Sequence, residues 1–260
     1  MFPLKDNIPT DRPAVVTMAL IAINVLVYFV LQKGGIFSGP SDSSVVDWGA
    51  IPYEFSHLGD LCVAVDQSQI ACGPPAELAA EGLSTTQPAT WVTAFSSMFM
   101  HGGIMHLAGN MLFLWIFGNN VEDAMGPVKF IAFYLLGGLA ALAAQFAIEP
   151  GSAVPTIGAS GAVAAVLGGY ILLYPRARVV TLLFFILFFT IVEVPATLIL
   201  GFWFLLQLAY GAYGLANPSG GGGDVAYFAH IGGFAFGLLA IKLFASRAKD
   251  YSPPPKYPVY

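Results

Sequence analysis

The chain has 260 residues, of which 57% are hydrophobic and only 10% charged, against about 25% charged in an ordinary soluble domain. Its net charge of −5 and its lack of basic runs with interleaved aromatics argue against a nucleic-acid binder. No Asp, Glu, Lys or Arg falls within Ala14–Leu31, Phe130–Ile148, Thr156–Pro175, Val179–Val192, Val194–Gly223 or Val225–Ile241. A charge in hydrocarbon is costly, so charge-free runs of about 18 residues or more read as spanning helices.

In chain order, a short polar tail (1–13) precedes a first helix at about 14–31. That helix is too long for a signal-peptide core, and no small-residue cleavage site follows it, so a retained helix is expected. The outer loop 32–96 holds acids and both cysteines, and is expected to carry short amphipathic helices at the interface. Helix two is placed at about 97–118, helix three at 128–148 and helix four at 158–174. Val179–Val192 is too short to cross as a helix before Glu193 and Pro195 interrupt it, so it reads as an extension of the connection dipping into the cytoplasmic half of the membrane. Helix five follows at 195–215. Four glycines (Gly220–Gly223) lie in the next loop, and helix six occupies 225–245. The Pro-rich tail 246–260 is expected to be disordered. The expected fold is therefore all-α, a six-helix membrane domain over 14–245.

Six spans with a cytoplasmic N-terminus place Lys5, Arg12, Lys129, Arg176, Arg178, Lys242, Arg247, Lys249 and Lys256 inside and leave only Lys33 outside, as the positive-inside rule requires. A seventh span would reverse the last of these and separate Ser160 from His230. The same topology puts Cys62 and Cys72 in the outer loop, where a disulfide is chemically permitted. Two free apolar thiols are the alternative.

Ser160 stands in Gly158-Ala159-Ser160-Gly161 at the outer start of helix four. Flanking glycines allow close approach to the hydroxyl, and a helix N-terminus offers unpaired N–H groups to a developing oxyanion. Taken alone, such a serine is more often a cap or a small-residue packing contact. His230 lies a few residues into helix six, on the face of Gly233 and Gly237, and an intramembrane ionisable residue is a functional hypothesis in itself. The six-span topology gives the two similar depth, so a Ser–His dyad across helices four and six is geometrically possible. No carboxylate stands one turn from His230, and no third member is assigned.

Helix two supplies His101, His106 and Asn110. The last two are four apart and share one face, able to direct donors at a tetrahedral intermediate. Structural hydrogen bonding between helices is the competing reading. A three-histidine metal site of His101, His106 and His230 is disfavoured, because no cysteine or acid accompanies them.

These three motifs, His101-x4-His106-x3-Asn110, Gly158-Ala159-Ser160-Gly161 and Ala229-His230 followed by Gly233, resemble the rhomboid family of intramembrane serine proteases over about Trp91–Leu243. The resemblance implies a six-helix bundle that hydrolyses peptide bonds in or near the transmembrane segments of other membrane proteins, without a cofactor. By position it implies Ser160 as nucleophile and His230 as general base, then acid. His106, Asn110 and the Ser160 N–H would bind the oxyanion, with His101 in support and Gly158 keeping the approach open. Two departures stand out. Trp91 is followed by Val92 where family members often have Trp-Arg, and Ala164 replaces a tyrosine that in many stacks on the histidine. Tyr227 or Phe228 is expected to hold the imidazole instead.

Peptide hydrolysis needs water, so the site is expected to open to the outer aqueous face. Substrate would enter laterally, past helix five and the Gly220–Gly223 loop. Phe202, Trp203 and Phe204 would face lipid or substrate. Without added soluble domains, the chain is expected in a prokaryotic plasma membrane with both termini cytoplasmic. The competing functions are a non-catalytic rhomboid-like protein that escorts membrane clients and a small transporter, for which no internal repeat is found.

Overall fold

The computed structural model of the protein describes residues 2–66, 69–185, 188–217 and 225–246. A short strand, β1 (Phe2–Asp6), leads to α1 (Val15–Leu26), whose end widens into a π-helical turn, Val27–Leu31. The segment that follows carries α2 (Asp42–Trp48), α3 (Pro52–Ser56), the hairpin β2 (Leu61–Ala64) and β3 (Ile70–Gly73), then α4 (Pro75–Ala80) and α5 (Thr90–Ser96). Cys62 and Cys72 face each other across that hairpin and are joined by a disulfide. Next come α6 (Ile104–Phe113), a second π-helical turn (Leu114–Gly118) and α7 (Asn119–Met125). Gly126, at φ 83°, ends α7 in a conformation that favours glycine. Pro127 then starts α8 (Pro127–Ile148), with its fixed φ suited to a first helical position. The rest is α9 (Ser160–Leu173), β4 (Arg178–Phe185), β5 (Phe188–Pro195), α10 (Ala196–Ala216) and α11 (Tyr227–Phe244).

Among the described residues, three helices, α8, α10 and α11, are long and apolar enough to cross a membrane; Val15–Leu31 and Ser160–Leu173 are shorter apolar helices. The 14-residue α9 is about 21 Å long, less than the roughly 30 Å of a hydrocarbon core. Its position explains how it can be short. Every residue from Gly161 to Tyr170 is buried, so protein, not lipid, surrounds its backbone. Small residues allow this enclosure. A Cβ on Gly233 would fall on the Gly161 carbonyl, and one on Gly237 on the Ala165 carbonyl, so α11 lies backbone to backbone against α9.

Three expectations need correction. The protein is mostly helical, not all-α: β1, β4 and β5 form a three-stranded antiparallel sheet in the order β1-β4-β5, and β2 pairs with β3. Val179–Val192 is accordingly a β-hairpin and not a dipping extension of a helical connection. Its β-branched and aromatic residues favour strands, and the N-terminal tail pairs Phe2–Asp6 with Val179–Leu182. Helix two does not run unbroken from 97. A 3-10 turn at Ser97–Phe99 is followed by non-helical residues, and α6 begins only at Ile104, because Gly102-Gly103 interrupts the helix and Gly103 is fully extended. His101 therefore precedes the helix. The Gly220–Gly223 loop and most of the tail 246–260 lie outside the described residues.

At the C-terminal end of α9, away from Ser160, buried polar groups close the bundle. Glu122 of α7 accepts hydrogen bonds from the Val16 N–H at 3.0 Å and from the Thr17 N–H and hydroxyl, each at 2.7 Å, satisfying the first turn of α1. Asp6 accepts from Asn120 Nδ2 and from the Tyr170 hydroxyl, both at 2.6 Å. Burial outweighs these bonds and raises the Asp6 carboxyl to about 6.

Candidate active site

Ser160 is the first residue of α9, and the turn before it depends on glycine. Gly158 has φ 127°, and a Cβ there would sit 2.8 Å from Cε1 and Nε2 of His106. Its N–H donates to the Ser97 carbonyl at 2.9 Å, tying the turn to the 3-10 turn that follows α5. Across the glycine-lined contact, α11 presents His230. Its Nε2 lies 2.8 Å from Ser160 Oγ. The α11 N-terminus is held by α8, where Gln145 Oε1 accepts from the Ala229 N–H at 3.2 Å. A serine hydroxyl facing an imidazole nitrogen at this distance can lose its proton to that nitrogen as the oxygen attacks an electrophile.

Ser160, His230, His106 and Asn110 all line one cavity of about 1200 Å³. Asn110 is buried, and among the described residues its Nδ2 has no hydrogen-bond partner. It is a donor left unspent on the cavity wall. His106 stands between Asn110 and the Gly158 turn, and Gly102 N–H approaches its Nδ1 at 3.4 Å. His101 is fully buried behind it, with ring centroids 5.0 Å apart in an edge-to-face arrangement. Gln32 fixes the His101 backbone from both sides: Oε1 accepts from its N–H at 2.9 Å, and Nε2 donates to its carbonyl at 3.0 Å. The structure thus brings Ser160, His230, His106, Asn110 and Gly158 together, with His101 one layer back.

Sequence reasoning missed two residues here. The second nitrogen of His230, Nδ1, lies 2.8 Å from Gln207 Oε1. The Trp203 ring packs on the imidazole with centroids 5.7 Å apart and planes at 37°. Both come from α10. Tyr227, expected to hold the imidazole, instead stacks on Tyr210 at 5.5 Å, and Phe228 points at Gly211. Ala164 is fully buried beneath Gly233, where the close approach of α11 needs a small residue. The one available signal was a polar residue, Gln207, inside an otherwise apolar run. Of the three aromatics expected to face lipid or substrate, Phe202 is exposed, whereas Trp203 and Phe204 pack toward Phe234.

Membrane-length apolar helices mark an integral multi-pass membrane protein, and within it a serine hydroxyl and an imidazole lie at hydrogen-bond distance. Residues 88–247 match the rhomboid domain, and the chain belongs to the rhomboid family. It is 32% identical over 154 residues to the mitochondrial Rhomboid protein 1 of Saccharomyces cerevisiae, covering 57% of this chain and 40% of that protein. It is 29% identical over 152 residues to the Rhomboid protease GluP of Bacillus subtilis, covering 58% of this chain and 23% of GluP. Over 99 residues it is 31% identical to the human presenilin-associated rhomboid-like protein, mitochondrial, covering 36% of this chain and 26% of that one. The matches thus span less than half the length of these relatives.

Proposed function

We propose that the protein is an intramembrane serine endopeptidase that cleaves peptide bonds in or near the transmembrane segments of other membrane proteins. The observation that carries this reading is the 2.8 Å contact between Ser160 Oγ and His230 Nε2 on the wall of a cavity inside a membrane bundle. Ser160 Oγ attacks the scissile carbonyl carbon while His230 Nε2 takes its proton. The carbonyl oxygen, now an oxyanion, is met by the Ser160 N–H, His106 and Asn110, with His101 supporting His106. Collapse of the tetrahedral intermediate breaks the C–N bond, and His230 returns the proton to the leaving amine. Water then attacks the acyl ester, His230 accepting its proton and passing it to Ser160 Oγ.

Six spans supply the setting: α1 with its π turn, α6 with its continuation, α8, α9, α10 and α11. Both termini are cytoplasmic, and the cavity opens to the outer face of a plasma membrane. The positive-inside distribution supports this topology, as does the disulfide in the outer segment. Substrate enters laterally, and α10 is the helix we assign to the gate, since it has the most lipid-exposed surface of the three membrane-length helices.

A fluorophosphonate probe should label the detergent-solubilised protein, and the reconstituted protein should cleave a transmembrane substrate. Ser160→Ala should abolish both. Cleavage that survives Ser160→Ala overturns the proposal. A folded wild-type protein that neither labels nor cleaves would favour a client-binding role.

A further inference from the structure

A bare serine–histidine pair leaves the imidazole free to rotate and to hold its proton on either nitrogen, and only one tautomer makes Nε2 a base. Gln207 decides between them here. Its Nε2 lies 3.1 Å from the Trp203 carbonyl, one turn back on α10. A carbonyl can only accept, so the NH2 end of the amide must face Trp203 and the Oε1 end must face His230. Oε1 also can only accept. The nitrogen facing it, Nδ1 at 2.8 Å, therefore carries the proton, and Nε2 presents its lone pair to the Ser160 hydroxyl at 2.8 Å. One backbone carbonyl on α10 thus sets, through two hydrogen bonds, the protonation pattern of the pair.

Burial supports a specific role. Only Ala196, Leu200, Gln207 and Gly211 are buried on α10, and Gln207 is the one polar side chain among them. An amide in an apolar span is costly unless its hydrogen bonds are made, and both ends of this one are engaged.

We propose that Gln207 is a positioning residue that holds His230 as the Nδ1–H tautomer, with the Trp203 ring flanking the imidazole, in place of a side chain stacked from position 164. The inference rests on the proposed protease reading. It adds a consequence for access: the base is correctly set only while α10 is seated against α11, so a movement of α10 that admits substrate must be reversed before Ser160 attacks.

The test compares wild type, Ser160→Ala, Gln207→Leu and Gln207→Glu in cleavage of a reconstituted transmembrane substrate and in the second-order rate of fluorophosphonate labelling. Leucine keeps the volume and removes the acceptor. It should lower kcat about 10- to 100-fold, by analogy with the range found when the hydrogen-bond partner of a metal-ligating histidine is removed, with KM within twofold and labelling slowed in parallel. Glutamate restores an acceptor and adds a negative charge, which favours imidazolium. It should recover at least part of the lost kcat and move the acid limb of kcat/KM to higher pH by about one unit or more. A Gln207→Leu variant with wild-type kcat overturns the proposal, as does a Gln207→Glu variant with an unmoved acid limb. If Gln207→Leu does not fold, the near-isosteric Gln207→Glu profile decides alone. Ser160→Ala separates the two readings. Its loss of cleavage beside an unaffected Gln207→Leu rejects only the positioning role, whereas its continued cleavage rejects the protease reading itself.

Discussion

His230 is held by two helices in different ways. Against α9, its own helix lies so close that added methyl groups on Gly233 or Gly237 would meet backbone carbonyls. Against α10, contact is made by side chains. At Gly211, where the two helices come near, an added methyl group would find its nearest neighbours at 3.4–3.6 Å, on Phe228, Ile231 and Tyr227, and much of α10 is exposed. The first interface sets the distance between Ser160 and His230 and cannot yield without moving backbone. The second sets how the imidazole is turned, and side chains on a lightly covered helix can part and return. Reacting groups need a fixed separation, whereas a substrate entering from the bilayer needs a wall that moves.

Short of the abolition expected for Ser160→Ala, the largest effect on rate alone should come from Asn110, on the α6 wall of the cavity. Asn110→Ala removes the unspent donor, and kcat should fall roughly a hundredfold or more with little change in KM, as measured by steady-state cleavage. The fixed interface itself is tested by Gly237→Ala, which overpacks α9 against α11. Such a change should cost about 1–3 kcal/mol, read as a lower thermal midpoint in detergent, with cleavage falling because the Ser160–His230 distance opens. A stable, active Gly237→Ala would show that this interface is softer than its geometry indicates.

A smaller effect is expected at the far end of α9. The Asp6 carboxyl, near 3.8 when unperturbed, is raised to about 6 by burial. Between these values the folded protein holds more protons than the unfolded chain, so its stability should decline as pH rises from about 4 to about 6. Asp6→Asn should flatten that part of the profile of thermal midpoint against pH while leaving the alkaline side unchanged. The smallest effect should be on α10. A Cβ at Gly214 meets nothing within 4 Å, so Gly214→Ala should change stability by no more than about 1 kcal/mol, in the stabilising direction that helix propensity favours. Comparing its midpoint with that of Gly237→Ala contrasts the open side of α10 with the close α9–α11 contact.

Much of the bundle was legible because hydrocarbon forbids charge. The helices placed on the charge-free runs, at 128–148, 195–215 and 225–245, match α8, α10 and α11 to within two residues of their ends, and the motifs around Ser160, His230, His106 and Asn110 mark residues that line one cavity. The hairpin at 178–195 was misread because a short apolar run has no periodicity to separate strand from helix. Its partner strand, Phe2–Asp6, lies more than 170 residues away from it in the chain. The break before α6 was underestimated because His101, His106 and Asn110 look continuous when only their spacing is read.

The sequence by itself determined which segments are apolar enough to enter a membrane, which residues could react, and the family to which the chain belongs, since these follow from local composition and short motifs. Only the tertiary structure decided that His230 and Ser160 lie at hydrogen-bond distance, and that the missing tyrosine at position 164 is answered from α10 by Gln207 and Trp203. The physical reason is that a tautomer is set by the direction of hydrogen bonds from another helix, and that direction exists only once the helices have packed.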